Sequence, residues 1–120
     1  MLTSIGRFLK KLRVDRSEIL KDMAEKLDVT VSFLSAVENG KKHMPSAWNE
    51  KICTLYNLTE QQKQEFTTAI AETEDAIEMD LVNANITQRE LAVSFARKFN
   101  NIDDMQAEAI RKILMRRKKK

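Results

Sequence analysis

Residues that break helices are nearly absent from this chain. Its 120 residues include 2 Gly and 1 Pro, and a chain so poor in turn-formers is expected to be mostly helical. Apolar residues recur at the matching period. Ile5, Phe8, Leu9 and Leu12 predict a first amphipathic helix, with Lys10, Lys11 and Arg13 on other faces. A second is expected from about residue 18 to 27, with Met23, Ala24 and Leu27 inward. Thr30 is placed to cap a third helix, because its hydroxyl can accept a free backbone N–H. Asn39-Gly40 has the composition of that helix's end. Pro45 favours a fourth helix starting just after it and burying Trp48, Ile52 and Leu55. Thr59 followed by Gln62 predicts a capping box opening a fifth, with Phe66, Ile70 and Ile77 on one side.

The pattern then changes. Ile77, Met79 and Leu81 alternate with Glu78 and Asp80, the period of a strand. A short strand is expected at this junction, although a helix end with acidic neighbours gives the same pattern. Thr87 and Glu90 predict a further capping box, followed by a stripe of Leu91, Phe95 and Phe99. Asn100-Asn101 interrupts it, Asp103 can cap again, and Ile110, Ile113 and Leu114 continue inward. A helix pair of about 30 residues is too small to be stable alone. It must pack on the fifth helix, on a second subunit, or on both.

Charge is unevenly distributed. Residues 1–60 hold 10 basic and 8 acidic side chains, residues 61–83 hold 1 and 6, and residues 84–120 hold 10 and 4. The acidic middle between two positive ends allows a nucleic-acid partner without demanding one. No apolar run approaches the roughly 18 residues of a membrane-spanning helix. The N-terminal Met-Leu-Thr-Ser-Ile-Gly-Arg-Phe lacks the pattern of a secretion signal. The one cysteine, Cys53, excludes an internal disulfide and fits a reducing compartment, so the cytoplasm is expected. It reads as a small core residue. With one Cys and one His, a zinc site of the usual kind is not expected, nor is any other cofactor. No Ser/His/Asp arrangement or Gly-rich phosphate loop points to an enzyme.

Two short helices joined by a three- to four-residue turn form a helix-turn-helix unit. Met23-Ala24 lets the helices approach, Val29 plugs the turn, and Leu34 and Val37 anchor the second helix. The string Met23-Ala24-Glu25-Lys26-Leu27, then Asp28-Val29-Thr30, then Phe33-Leu34-Ser35, continues into Val37-Glu38-Asn39-Gly40-Lys41 and Pro45. Over residues 5–58 this resembles the phage-repressor and Cro type of helix-turn-helix domain, the xenobiotic-response-element (XRE) family. Two departures stand out. Leu20 occupies the place where the family often has a phosphate-contacting Gln. Asp28 replaces the turn glycine, and Asp tolerates a left-handed backbone better than most residues.

The resemblance implies roles for particular residues. Val31, Ser32 and Ala36 would face base edges, with Thr30 and Ser35 nearby. Ser discriminates weakly, whereas Val and Ala can touch the thymine methyl. None makes a bidentate base contact, so part of the specificity would come from DNA shape and paired half-sites. Asn39, Lys41, Lys42, His43 and the backbone near Asn39-Gly40 are the expected phosphate contacts. Phe33 would pack against the sugar-phosphate edge or into the core. Arg13 and Glu38 resemble a pair tying the first helix to the end of the third; the alternative is two exposed charges of little worth. Thr87-Gln88-Arg89-Glu90-Leu91-Ala92 looks like the opening of a second such unit, but the stripe continues through Ala96-Arg97, so a second reading head is not expected. The run from Arg116 to Lys120 could touch DNA, stay solvated, or neutralise Glu72, Glu74, Asp75 and Glu78.

The fold expected is therefore all-α. A five-helix lambda-repressor-like DNA-binding domain over residues 1–76 precedes a helical hairpin over residues 77–120, with the short strand at the junction. The function expected is a DNA-binding transcriptional regulator, a repressor acting as a homodimer on an inverted repeat. Leu91, Phe95, Phe99, Ile110 and Leu114 would form the dimer interface. The alternative is an antitoxin or inhibitor whose C-terminal half binds a partner protein, such as a toxin, while the helix-turn-helix domain autoregulates.

Overall fold

The computed structural model describes residues 1–116. Among them lie seven α-helices and no strand. They are α1 (Ser4–Asp15), α2 (Leu20–Leu27), α3 (Val31–Glu38), α4 (Trp48–Leu55), α5 (Glu60–Thr73), α6 (Ile86–Lys98) and α7 (Asp104–Met115). The chain divides into two compact units, Met1–Met79 and Asp80–Lys120. Residues 117–120, and with them most of the basic run at the C-terminus, lie outside the described residues.

In the first unit, local capping sets the helix starts. The Thr3 hydroxyl accepts from Gly6 N at 3.1 Å to open α1. The second helix starts at Leu20, where Asp22 Oδ2 accepts from Ile19 N at 2.9 Å. Thr59 and Gln62 form a reciprocal box at α5. Ile5, Leu9, Met23, Leu27, Leu34, Val37, Trp48, Ile52 and Phe66 are the principal buried side chains of the single core. Phe8 stacks on Phe66 with ring centroids 5.0 Å apart, joining α1 to α5. Cys53 is partly buried against this core. Its thiol donates to Asn49 O at 3.2 Å, and burial, helped by Glu50, pushes it up from the ordinary thiol range.

Two expected core positions are not buried. Leu55, at the last turn of α4, is 42% exposed. Ile77 lies beyond α5, which ends at Thr73, and is 61% exposed. The alternation over residues 77–81 does not become a strand: a strand needs a neighbour for its backbone groups, and no other strand occurs among the described residues.

A polar cluster ties the α1–α2 connection to the end of α4. Glu18 pairs with Lys26 and accepts from the Tyr56 hydroxyl at 2.8 Å, while Arg16 donates to Tyr56 O at 2.7 Å. Desolvation alone would raise the Glu18 carboxyl. The hydrogen bonds from Lys26 and Tyr56, with the Lys26 charge, outweigh it and hold the group below the usual carboxylate range.

In the second unit, Asn85 and Gln88 cap α6 reciprocally at 2.8 and 2.9 Å, upstream of the Thr87–Glu90 box expected from sequence. Asn85 wins because its short carbonyl side chain is among the best N-caps. The helix runs unbroken through Ala96 and Arg97. A 3-10 turn at Phe99–Asn101 follows, and Asp103 caps α7 through Gln106 N at 2.8 Å. No residue of α6 or α7 is buried. Ile113, expected to point inward, is 58% exposed.

Candidate nucleic-acid interface

The turn between α2 and α3 is built from three residues. Asp28 takes a left-handed backbone, φ +58°, the conformation a turn glycine would otherwise supply. Val29 packs against the core and donates its N–H to Ala24 O at 3.0 Å. Thr30 then caps α3, its hydroxyl accepting from Phe33 N at 3.0 Å. Leu34, Val37 and Glu38 form the buried face of α3. The 100° step between residues places Val31, Ser32, Ser35 and Ala36 together on the opposite side. Val31 and Ser32 are exposed; Ser35 and Ala36 are half-buried. Phe33 lies between the two sides, half-buried, with its ring edge-on to Trp48 at 5.9 Å.

The end of α3 is closed from within. Asn39 N donates to Ser35 O, Gly40 N to Val37 O, and the N–H groups of Lys41 and Lys42 both to Ala36 O. The Asn39 side-chain amide also donates to Ser35 O, at 2.9 Å. The backbone N–H groups expected to meet phosphate near Asn39-Gly40 are therefore already engaged. Of the side chains expected to meet phosphate, Lys41, Lys42 and His43 are all exposed. Leu20, at the place of the family's Gln, is half-buried against the core and offers no polar group.

Three contacts hold α3 rigidly from behind. Arg13 and Glu38 are 7% and 3% exposed. Arg13 Nη2 donates to Glu38 Oε1 at 3.0 Å, and Nη1 bonds both Glu38 Oε2 and, at 3.3 Å, Met23 Sδ. The pair is buried and bidentate, unlike two solvated charges, and links α1 to the last turn of α3. The second contact is from Thr3, whose N–H and hydroxyl both donate to Glu38 O, at 3.0 and 3.1 Å. The third is Gly6. A Cβ there would stand 2.2 Å from Glu38 O, so only glycine lets α1 come this close. Sequence reasoning passed over Thr3 and Gly6. A glycine in the first turn of an otherwise amphipathic helix is the signal that could have found them.

The loop after α3 has its own anchor. Glu74, just past α5, accepts from Met44 N at 3.0 Å and meets His43 Nδ1 at 2.8 Å. From sequence, Glu74 is only a candidate counter-charge for the basic tail, and nothing local marks a pairing across 31 residues. The expected interface residues of the second unit are surface residues of this chain. Leu91, Phe95, Phe99 and Leu114 are 66%, 37%, 57% and 74% exposed, and Ile110 is half-buried. Phe95, Phe99, Ile110 and Leu114 line one apolar hollow with Ile102 and Ala107; Leu91 is not part of it.

Among the described residues, no helix is long and apolar enough to cross a membrane. Nor does any group of three or more His, Cys, Asp or Glu stand ready to hold a metal ion. A family model described as helix-turn-helix domain matches residues 4–66, more than half of the chain. No curated protein and no solved structure matches it.

Proposed function

The chain belongs to the helix-turn-helix domain family, and on that premise we propose that it is a sequence-specific transcriptional regulator, a cytoplasmic repressor binding an inverted-repeat operator as a homodimer. One observation carries this reading: α3 presents an uncommitted outer face of small side chains while its inner face is locked to α1 by Arg13, Thr3 and Gly6. A rigidly backed helix with a free face suits insertion in the major groove.

Val31 and Ala36 then meet thymine methyls, and the Ser32 and Ser35 hydroxyls bond base edges with low discrimination. Lys41, Lys42 and His43 lie just beyond the helix and meet phosphates, setting register. Thr30 keeps its hydroxyl on Phe33 N, so its part is to fix the start of the reading helix. Phe33 supports that helix from Trp48, and Asn39 closes its end. Two half-sites about 34 Å apart compensate for the weak readout of each. The dimer forms through the apolar side chains of the second unit, Leu91, Phe95, Phe99, Ile110 and Leu114.

Selection of bound sites from random DNA tests the reading. The expected product is an A·T-rich inverted repeat. Ser32→Ala should relax the preference at one position per half-site. Lys41→Ala should weaken all sites alike and reduce the salt slope by about 1 per half-site. Recovery of no enriched sequence would overturn the repressor reading. The exposed apolar surface of the second unit also favours a second reading, an antitoxin or inhibitor that covers this surface with another protein. A chain that stays monomeric at micromolar concentration would promote that reading.

A further inference from the structure

A hollow of about 280 Å³ lies between residues 43–49 and the end of α5. Its size is close to the lower limit, about 300 Å³, of small-molecule sites. Met44 and Ile70 supply apolar wall, and Ile77 supplies the rim, which gives that exposed side chain a place the α5 stripe did not. The formally charged lining is anionic, Glu74 and Glu78, while Ser46, Asn49 and His43 add groups that can donate as well as accept. The Glu74 side chain is 8% exposed, and its two oxygens meet Met44 N and His43 Nδ1. Glu78 stands with it in the lining. Asn49 Oδ1 is buried and has no hydrogen-bond partner. No lysine or arginine lines the hollow.

We propose that this hollow binds a small organic cation, an amine carried on an apolar body. The apolar part lies on Ile70 and Ile77. The ammonium has three donors and no acceptor, which matches the Glu74 carboxylate and, once the Asn49 side chain turns its buried oxygen toward the hollow, that unpartnered acceptor as well. An anion of the same shape meets two carboxylates and is rejected. A wholly apolar ligand leaves the Asn49 oxygen unsatisfied. At Glu74 the ammonium competes with His43, so occupancy frees His43 and loosens the Glu74 anchor on the loop next to Lys41 and Lys42. That last consequence rests on the DNA-binding reading: the amine then changes affinity for operator DNA.

The test is an NMR titration of the full chain, without DNA, using phenethylamine, tyramine and cadaverine, with phenylacetate as the anionic match. The proposal expects saturable shifts at the Met44 amide, the Asn49 side-chain amide and the Ile70 and Ile77 methyls with at least one of the amines, and none with phenylacetate. Glu74→Gln should weaken binding about tenfold, the scale of one charge-assisted contact. Ile77→Ser changes only an exposed side chain, so the fold is kept, and it should weaken phenethylamine several-fold. No saturable shift with any amine at millimolar concentration overturns the proposal, as do equal shifts with phenylacetate. DNA binding is read separately. Amine binding without any selected DNA site keeps the cation site and sinks the regulator reading; the reverse outcome does the opposite.

Discussion

The first unit buries fifteen apolar side chains around one core; the two helices of the second carry complete capping boxes and bury none. Local hydrogen bonding is at least as good in the second unit. What it lacks is a second layer, since two short helices cannot enclose a core. Leu91, Phe99 and Leu114 have the composition of core residues and the exposure of surface ones. The contrast teaches that caps and periodicity specify a helix, whereas burial requires a partner. A segment of fewer than about 40 residues usually needs outside help to be stable, and here the proposed help is a second copy.

The strongest way to break the contrast is to attack what holds the first unit's helices together. Arg13→Ala or Glu38→Ala should cost about 3–5 kcal/mol, because each leaves a buried charge uncompensated. Replacing both by apolar residues of similar size should recover most of that, measured by urea unfolding. Next comes a paired truncation. Leu34→Ala, at a fully buried site, should cost about 2–5 kcal/mol. Leu114→Ala should change the chain's monomeric stability by less than about 0.5 kcal/mol yet weaken dimers in light scattering. Equal losses at the two sites would erase the distinction between the units. Gly6→Ala should cost about 1–3 kcal/mol by forcing α1 off Glu38, and should lower DNA affinity because α3 shifts with it.

The smallest expected effect is in acid. The folded Glu18 carboxyl lies below its ordinary value of 4.5. Its contribution is therefore present above that value and lost as pH falls through the folded one. Glu18→Gln should flatten the drop in melting temperature between neutral pH and about pH 3. An unchanged acid profile would assign the drop to other carboxylates.

What could be read without the structure depends on range. The start of α3 was legible because Thr30 and the N–H it caps are close neighbours in the chain, and the α5 box because Thr59 and Gln62 are equally close. The left-handed Asp28 and the buried face of α2 were legible for the same local reason. Periodicity and capping patterns place the start of α6 two residues late, because Asn85 and Thr87 each begin a box-like pattern and the stronger cap, Asn85, takes it. Periodicity places Leu55 and Ile77 in a core, because it registers a helix face but not where the neighbouring helix ends.

The amino-acid sequence by itself determined the helices, the caps of α3, α5 and α7 and the helix-turn-helix frame, since each rests on hydrogen bonds and side-chain periods within a few residues. Only the tertiary structure decided that the Arg13–Glu38 pair, expected by resemblance, is buried and bidentate, that Gly6 touches the end of α3, and that Glu74 holds His43. These contacts join residues 25 to 32 positions apart, and no local pattern encodes which distant group will arrive. For the second unit the decision passes one level higher: its apolar stripe is written in the chain, but two helices are too few to cover it.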